Sequence, residues 1–288
     1  MNALVFTSEE QKLIVEVKNK LTIANLSSKY PDIADLLPKL NDFMQRSEVN
    51  DDVFYVRWLR AYSGNVDKTI SGIIELIRWR QRMNLDQSKL TRFVELFPKL
   101  EEFLCFMGSD KEGCPCLCLA ISNFVPGTLQ PYELIEELVG FVLEVAFHEL
   151  RLQTGGKLEK FVVVIDYKGW SLSCVDTKLD KSILGTCQNY FPERLKLATL
   201  MRAPWLFSTA WAVAKLFLDE KTTEKISFVY ESDMLSELRK NFDDSTILKK
   251  FGGQAEKAKT LKEYLEERLS NDETLLDYYN KRPVRSVE

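Results

Sequence analysis

The residues able to do chemistry are few, and their spacing argues against catalysis. Cys114, Cys116 and Cys118 form a C-x-C-x-C run. On an extended strand all three side chains point to one face, whereas zinc sites use C-x-x-C-type spacing and a second ligand cluster. Free thiols on a buried strand face are therefore favoured over a metal site. His148 is the single histidine, and His148-Glu149 opens like a zincin motif. Position 152 is Leu, so the second ligand of that motif is missing. His148 lies on the apolar stripe of its helix, where a satisfied core histidine is expected. Gly155-Gly156 and Gly252-Gly253 read as turns: no G-x-G-x-x-G follows a strand, and neither a P-loop nor a G-x-S-x-G elbow is present. No catalytic residue, cofactor or resident metal is expected.

The elements around these residues favour binding of something apolar. Tyr190 to Leu195 form an acidic turn, followed by an apolar strand and then a helix with almost no polar face. From Trp205 to Leu218 the only polar side chains are Ser208, Thr209 and Lys215. A helix apolar all round is buried or in lipid, and a bilayer span needs roughly 20 residues. Two readings stay open: a core helix, or a helix with the sheet on one side and lipid or membrane on the other. With 45% hydrophobic and 28% charged residues the chain has an ordinary globular composition. Its net charge of −4 excludes the basic footprint of a nucleic-acid binder. The first ten residues carry no basic n-region and no long apolar core, so no secretory signal is read and a cytoplasmic protein is expected. The six cysteines are then free thiols.

The first hundred residues read as helices. One runs from Ser8-Glu9-Glu10, as its cap, to about Asn25; a second starts at Pro31 and ends near Arg46; a third spans Asp51 to Tyr62. After Ser63-Gly64-Asn65, the spacing of Val66, Ile70, Ile73, Ile74 and Ile77 predicts a helix ending near Met83. From about Leu104 the pattern alternates. Strands are predicted over Leu104–Met107, Pro115–Ser122, Phe161–Asp166, Leu195–Met201 and Lys225–Tyr230, with a hairpin turn at Asp110-Lys111-Glu112-Gly113. Helices are predicted over Pro131–Leu152 and Thr177–Tyr190. The continuous apolar run Phe161–Asp166 predicts a strand covered on both faces. This order implies an α/β fold with a mainly parallel sheet flanked by helices and an N-terminal helical annex. The tail after Gly253 is charged and reads as helix over Gln254–Arg268 and Glu273–Tyr279.

The motifs, taken in order, resemble the CRAL-TRIO family of lipid-exchange domains, as found in yeast-type phosphatidylinositol/phosphatidylcholine transfer proteins. They are Val56-Arg57-Trp58-Leu59-Arg60-Ala61, Trp79-Arg80, Ser109-Asp110-Lys111-Glu112-Gly113-Cys114-Pro115 and Val164-Ile165-Asp166-Tyr167-Lys168-Gly169. The strongest stretch runs from Gln188-Asn189-Tyr190-Phe191-Pro192-Glu193-Arg194 through Ala203-Pro204-Trp205-Leu206-Phe207-Ser208 and Phe217-Leu218-Asp219 to Thr222, Lys225 and Phe251-Gly252-Gly253. The resemblance implies a helical N-terminal module over 1–100, a lipid-binding domain over 101–255 and a charged helical tail over 256–288. It also implies a lipid pocket floored by the sheet and closed by a gate helix at about Pro204 to Leu218. Leu117, Phe161 and Val163 would lie in the pocket, and Trp205, Phe207, Trp211, Phe217 and Leu218 on the gate, whose tip could enter a membrane interface.

For a phosphoinositide head group the resemblance implies Glu193, Thr222 and Lys225, with Asp110 nearby. Lysine would meet the phosphodiester as a point charge and the hydroxyl would donate to it. A plain Glu193–Lys225 ion pair without ligand is the competing reading. Two departures bear on the cargo. The basic pair that such binders carry after L-R-A is Tyr62 and Ser63 here. The pocket hydroxyls of phosphatidylcholine binders are Phe161, Val163 and Leu117. Unmatched phosphate groups there would cost about 1–3 kcal/mol each. The expected function is transfer or presentation of phosphatidylinositol, with a sterol-like or isoprenoid lipid as second ligand, by a monomer transiently at a membrane surface. A carrier of a small hydrophobic ligand and a non-catalytic interaction module are the alternatives.

Overall fold

The computed structural model describes residues 6–29, 35–44, 46 and 51–283. The chain enters through helix α1 (Ser8–Lys20), capped by Thr7 rather than by the expected Ser8-Glu9-Glu10. The Thr7 hydroxyl accepts from the Glu10 N–H and the Glu10 carboxylate accepts from the Thr7 N–H, a reciprocal pair that satisfies two end donors. The helix stops at Lys20 and α2 (Ile23–Lys29) restarts it, so the expected run to Asn25 is two pieces. Helix α3 (Leu37–Met44) follows; the expected start at Pro31 lies outside the described residues. Helix α4 (Asp52–Ala61) is capped by Asp51. Helix α5 (Val66–Met83) is capped by Asn65 and buries Ile70, Ile73, Ile74 and Ile77, as their spacing predicts. A short α6 (Phe97–Leu100) leads to the sheet.

Six strands form that sheet: β1 (Leu104–Ser109), β2 (Pro115–Ala120), β3 (Phe161–Asp166), β4 (Leu195–Met201), β5 (Ile226–Val229) and β6 (Lys259–Thr260). Their order is β5-β4-β3-β2-β1-β6. Strands β2 to β5 run parallel, while β1 is antiparallel to both β2 and β6. The connections are helices α7 (Tyr132–Thr154) and α8 (Thr177–Tyr190), then α9 (Phe207–Ala214) and α10 (Glu220–Glu224). Helix α11 (Met234–Asn241) follows β5. The α/β sheet read from the sequence is thus present.

Trp79 of α5, fully buried, locks the helical annex onto the rest. Its indole stacks on Tyr190 at 4.4 Å and meets Phe191 edge-on at 6.0 Å. It also lies so close to α7 that a Cβ on Gly140 would sit 2.5 Å from the indole, which is why that position has no side chain.

The tail departs from its expected form. Gln254 to Ala258 are not helical, β6 extends the sheet, and only α12 (Leu261–Glu266) and α13 (Leu275–Lys281) are helices. Leu265, Leu275 and Tyr278 are fully buried in the same hydrophobic cluster as the N-terminal helices. The charges of the tail form its outer faces, and the apolar stripe beneath them seals the molecule. Leu265→Ala should therefore lower stability by about 2–5 kcal/mol, read as a shift in the denaturant midpoint. A loss below about 0.5 kcal/mol would identify a solvated tail instead.

Candidate functional site

The two faces of the sheet differ, and the difference follows from strand alternation. On the back face Cys116, Cys118, Val162, Val164 and Met201 are buried beneath Met234, Leu238, Phe242 and Phe251. Burial also pushes the Cys116 thiol far above its ordinary range. The expected placement of the three cysteines on one buried face holds, with Cys114 pushed up to about 11 mainly by burial. The front face carries Leu117 and Leu119 of β2, Phe161, Val163 and Ile165 of β3, and Ile226 of β5, all only half-buried. Leu117, Leu119 and Phe161 pack toward α7 and α8, while Val163, Ile165 and Ile226 pack toward α9. The strand expected to be covered on both faces is therefore sealed on one and partly open on the other.

Helix α9 settles which kind of apolar helix the sequence holds. Phe207 is its anchor, 4.3 Å from the Tyr167 ring and edge-on to Trp170 at 5.2 Å. Trp211 meets Phe228 edge-on at 5.3 Å and is half-buried, as is Leu218. The opposite side of the segment is open: Trp205 just before the helix is 86% and Leu216 just after it 81% exposed, and Val213 within it is also exposed. A pure core helix is excluded, because this one presents an apolar outer face. The Phe217 side chain lies outside the described residues. A separate cavity of about 350 Å³ opens at the β1–β6 edge between Phe106, Tyr264, Glu149 and Arg268; none of the front-face residues above lines it.

The polar residues gather at the N-terminal ends of the parallel strands. Glu193 sits in the turn before β4 with φ 58°, and Lys225 Nζ donates to its carboxylate at 3.1 Å. Both side chains are about one-fifth exposed. Thr222 belongs to the turn of α10, where its hydroxyl and its N–H both donate to Asp219, at 2.8 Å each. Asp110 is not joined to the Glu193–Lys225 pair. Its carboxylate accepts the N–H groups of Glu112 and Cys114, closing the β1–β2 turn, and receives Lys196 Nζ at 2.6 Å. Tyr62 stacks on Trp58 at 6.3 Å, and Ser63 takes a left-handed turn conformation. His148, 2% exposed, donates to the Arg282 carbonyl from Nε2 at 2.6 Å and packs edge-on against Tyr278 and Tyr279. It is a core residue.

Beneath this polar end lies a buried charge cluster that no motif spacing announced. Glu159, just before β3, receives Arg57 of α4 at 2.7 Å, Arg194 at 2.8 Å and Arg151 of α7. Arg151 also reaches Asp51 at 2.8 Å. Three guanidiniums thus share two carboxylates. Burial, and then the charge of Arg151, pull Arg57 down to about 9, which leaves it charged at neutral pH. Burial first, then Arg57 and Arg151, pull Arg194 down as well. Four elements contribute to the cluster, so no window of sequence contains it. Removing the shared carboxylate would strand like charges in a buried site. Glu159→Gln should destabilise the fold by about 3–5 kcal/mol in chemical denaturation; a change under about 1 kcal/mol would mean that the guanidiniums are solvated.

Comparison with known proteins agrees with this architecture. A model of the CRAL/TRIO domain matches residues 101–253. A CRAL-TRIO domain-containing protein of Schizosaccharomyces pombe is 28% identical over 209 residues, covering 70% of this chain and 45% of that protein. The human alpha-tocopherol transfer protein-like protein is 28% identical over 218 residues, 71% of this chain and 59% of that one. The chain thus spans about half the length of these two relatives. The SEC14 cytosolic factor of Kluyveromyces lactis is 28% identical over 250 residues, 82% of this chain and 81% of that protein. The crystal structure of Sfh5 superposes with a TM-score of 0.61 over 98% of this chain and 97% of that one, at 16% identity, a likeness of fold. With the family model matching more than half of its length, this chain belongs to the CRAL/TRIO domain family.

Proposed function

We propose that this protein binds a lipid and transfers or presents it between membranes, without catalytic chemistry, and that phosphatidylinositol is its favoured cargo. The observation that carries the reading is the half-exposed apolar front face of the sheet beside α9, whose outer surface is also apolar. Acyl chains laid against Leu117, Phe161 and Val163 would remove that surface from water, at about 25 cal/mol per Å². The outer residues Trp205, Val213 and Leu216 suit a helix that meets a membrane while the lipid passes. Among the described residues no helix is long and apolar enough to cross a membrane, so the contact would be peripheral. The protein would act in the cytoplasm as a monomer.

Phosphatidylinositol is favoured because Lys225 and Glu193 already stand together at the polar end of the sheet. The ammonium would meet the phosphodiester while the carboxylate accepts from inositol hydroxyls. Thr222 would join by turning its hydroxyl away from Asp219, and Asp110 would act through the turn it closes. Phosphatidylcholine should bind poorly, since Leu117, Phe161 and Val163 offer no donor to a phosphate. That same apolar lining favours a second reading, a less polar ligand held without a head-group site. The relatives include a protein named for its likeness to an alpha-tocopherol transfer protein.

Native mass spectrometry of protein purified from cells, followed by vesicle-to-vesicle transfer, tests both readings. Phosphatidylinositol should co-purify, and Lys225→Ala should reduce its transfer by about tenfold or more, the loss of one charge-assisted hydrogen bond. The fold should change by less than about 1 kcal/mol, as for a partly exposed ion pair. A neutral lipid alone, with transfer insensitive to Lys225→Ala, would select the second reading. Equal transfer of phosphatidylcholine and phosphatidylinositol would overturn the stated preference.

A further inference from the structure

Cys105 and Cys118 oppose each other directly across the β1–β2 ladder. Residues so paired point to one face of the sheet. That face is the sealed back one: Cys118 is 1% exposed there, and Cys105, half-buried, packs against the same cluster. The Ala120 N–H donates to the Phe103 carbonyl at 2.8 Å, so Phe103–Ala120 is a hydrogen-bonded pair and, two residues along the ladder, so is Cys105–Cys118. Opposing Cα atoms of such a pair stand about 5.5 Å apart, inside the roughly 4.4–6.8 Å that disulfides span. The two residues are also close: Cys105 Sγ lies 3.6 Å from the Cys118 carbonyl oxygen. Cys116, the next cysteine on that face, opposes Gly108 instead. A hydrogen bond from the Cys118 thiol holds Cys105 below the ordinary thiol range, against the effect of burial. Cys105 is thus the more accessible and the more acidic of the two, the pattern of a thiol that meets an oxidant first beside one that resolves it.

We propose that Cys105 and Cys118 form a reversible modification site, a dithiol that hydrogen peroxide converts to a cross-strand disulfide. The Cys105 thiolate attacks one peroxide oxygen; the S–O bond forms, the O–O bond breaks and hydroxide leaves, to be protonated to water. The Cys118 sulfur then attacks the Cys105 sulfenic sulfur, and its proton departs with the hydroxyl as a second water. Two thiols are oxidised and one peroxide is reduced. A dithiol reductant returns the electrons and restores both thiols. The bond would fasten β1 to β2. Strand β1 also pairs with β6, and Phe106 beside Cys105 stacks on Tyr264 of α12 at 3.6 Å. The disulfide would therefore tie the strand that holds the C-terminal tail to the strand that bears Leu117 and Leu119 of the front face. The site does not depend on which lipid the protein carries.

Reduced protein treated with hydrogen peroxide, alkylated and digested with trypsin without reductant tests the pair by mass spectrometry. Cleavage after Lys99, Lys111 and Arg151 leaves Cys105 alone in one peptide and Cys114, Cys116 and Cys118 together in the next. The two peptides should appear linked, two of the six thiols should be lost, and dithiothreitol should restore them. Cys105→Ser and Cys118→Ala should each abolish the link, while Cys116→Ala should keep it. In Cys118→Ala, Cys105 should remain a sulfenic acid that dimedone labels. A link that survives Cys118→Ala and disappears in Cys116→Ala overturns the assignment. The wild-type protein decides the matter without any variant: Cys105 that stays reduced, that reaches sulfinic acid unlinked, or that joins two molecules into a dimer on a non-reducing gel overturns the proposal.

Discussion

The Glu159 carboxylate, shared by Arg57, Arg151 and Arg194, joins parts of the molecule that the hydrophobic core alone would leave free to slide. Arg57 comes from the N-terminal annex, Arg151 from the last turn of α7, and Arg194 from the turn that places Glu193. Hydrophobic contact is non-directional, whereas a carboxylate meeting several guanidiniums imposes both distance and angle. Arg194 also lies over the Phe147 ring at 4.0 Å and bonds the Glu159 carbonyl at 3.1 Å, so the turn before β4 has little freedom. The register of β4 against β3 begins at that turn, and with it the position of the Glu193–Lys225 pair.

The same strand geometry divides the sheet into two unlike faces. Alternate residues of β3 belong to a sealed back layer and to a half-open front layer, although all five from Phe161 to Ile165 are apolar. The back layer is closed by α11 and by the residues up to Phe251. The front layer is shared between α7 and α8 on one side and α9 on the other. Helix α9 reaches the sheet through Phe207 and Trp211, two aromatic anchors that bury large areas from few positions. Its outer side chains are not needed for that packing. An apolar surface kept open both inside and outside one short helix is more than packing alone requires.

Much of the fold was legible in one dimension. β3, α8 and β4 lie where the sequence places them, because buried strands and amphipathic helices leave local periodicity. The tail was misread for an equally local reason: Lys, Glu and Arg dominate Gln254 to Arg268, and that composition hides β6 and the stripe of Leu261, Tyr264 and Leu265. A two-residue strand has no period to detect. Among the candidate site residues, Glu193 and Lys225 form an ion pair, which the head-group site and the plain ion pair both require, while Asp110 is tied to Lys196 and Thr222 to Asp219. Hydroxyls and carboxylates close to turns are readily taken by local backbone donors, a competition that residue type alone does not reveal.

By itself the sequence determined the family, the alternation of strands and helices, the absence of familiar catalytic motifs and the apolar character of α9. Each is a matter of residue order or local period. Only the tertiary structure decided that one face of β3 is sealed and the other half-open, since exposure depends on which helix crosses which strand. It alone brought Arg57, Arg151, Glu159 and Arg194 together from positions up to 137 residues apart. Charge pairing acts through space over a few ångströms, and nothing in the linear order of those residues encodes that distance.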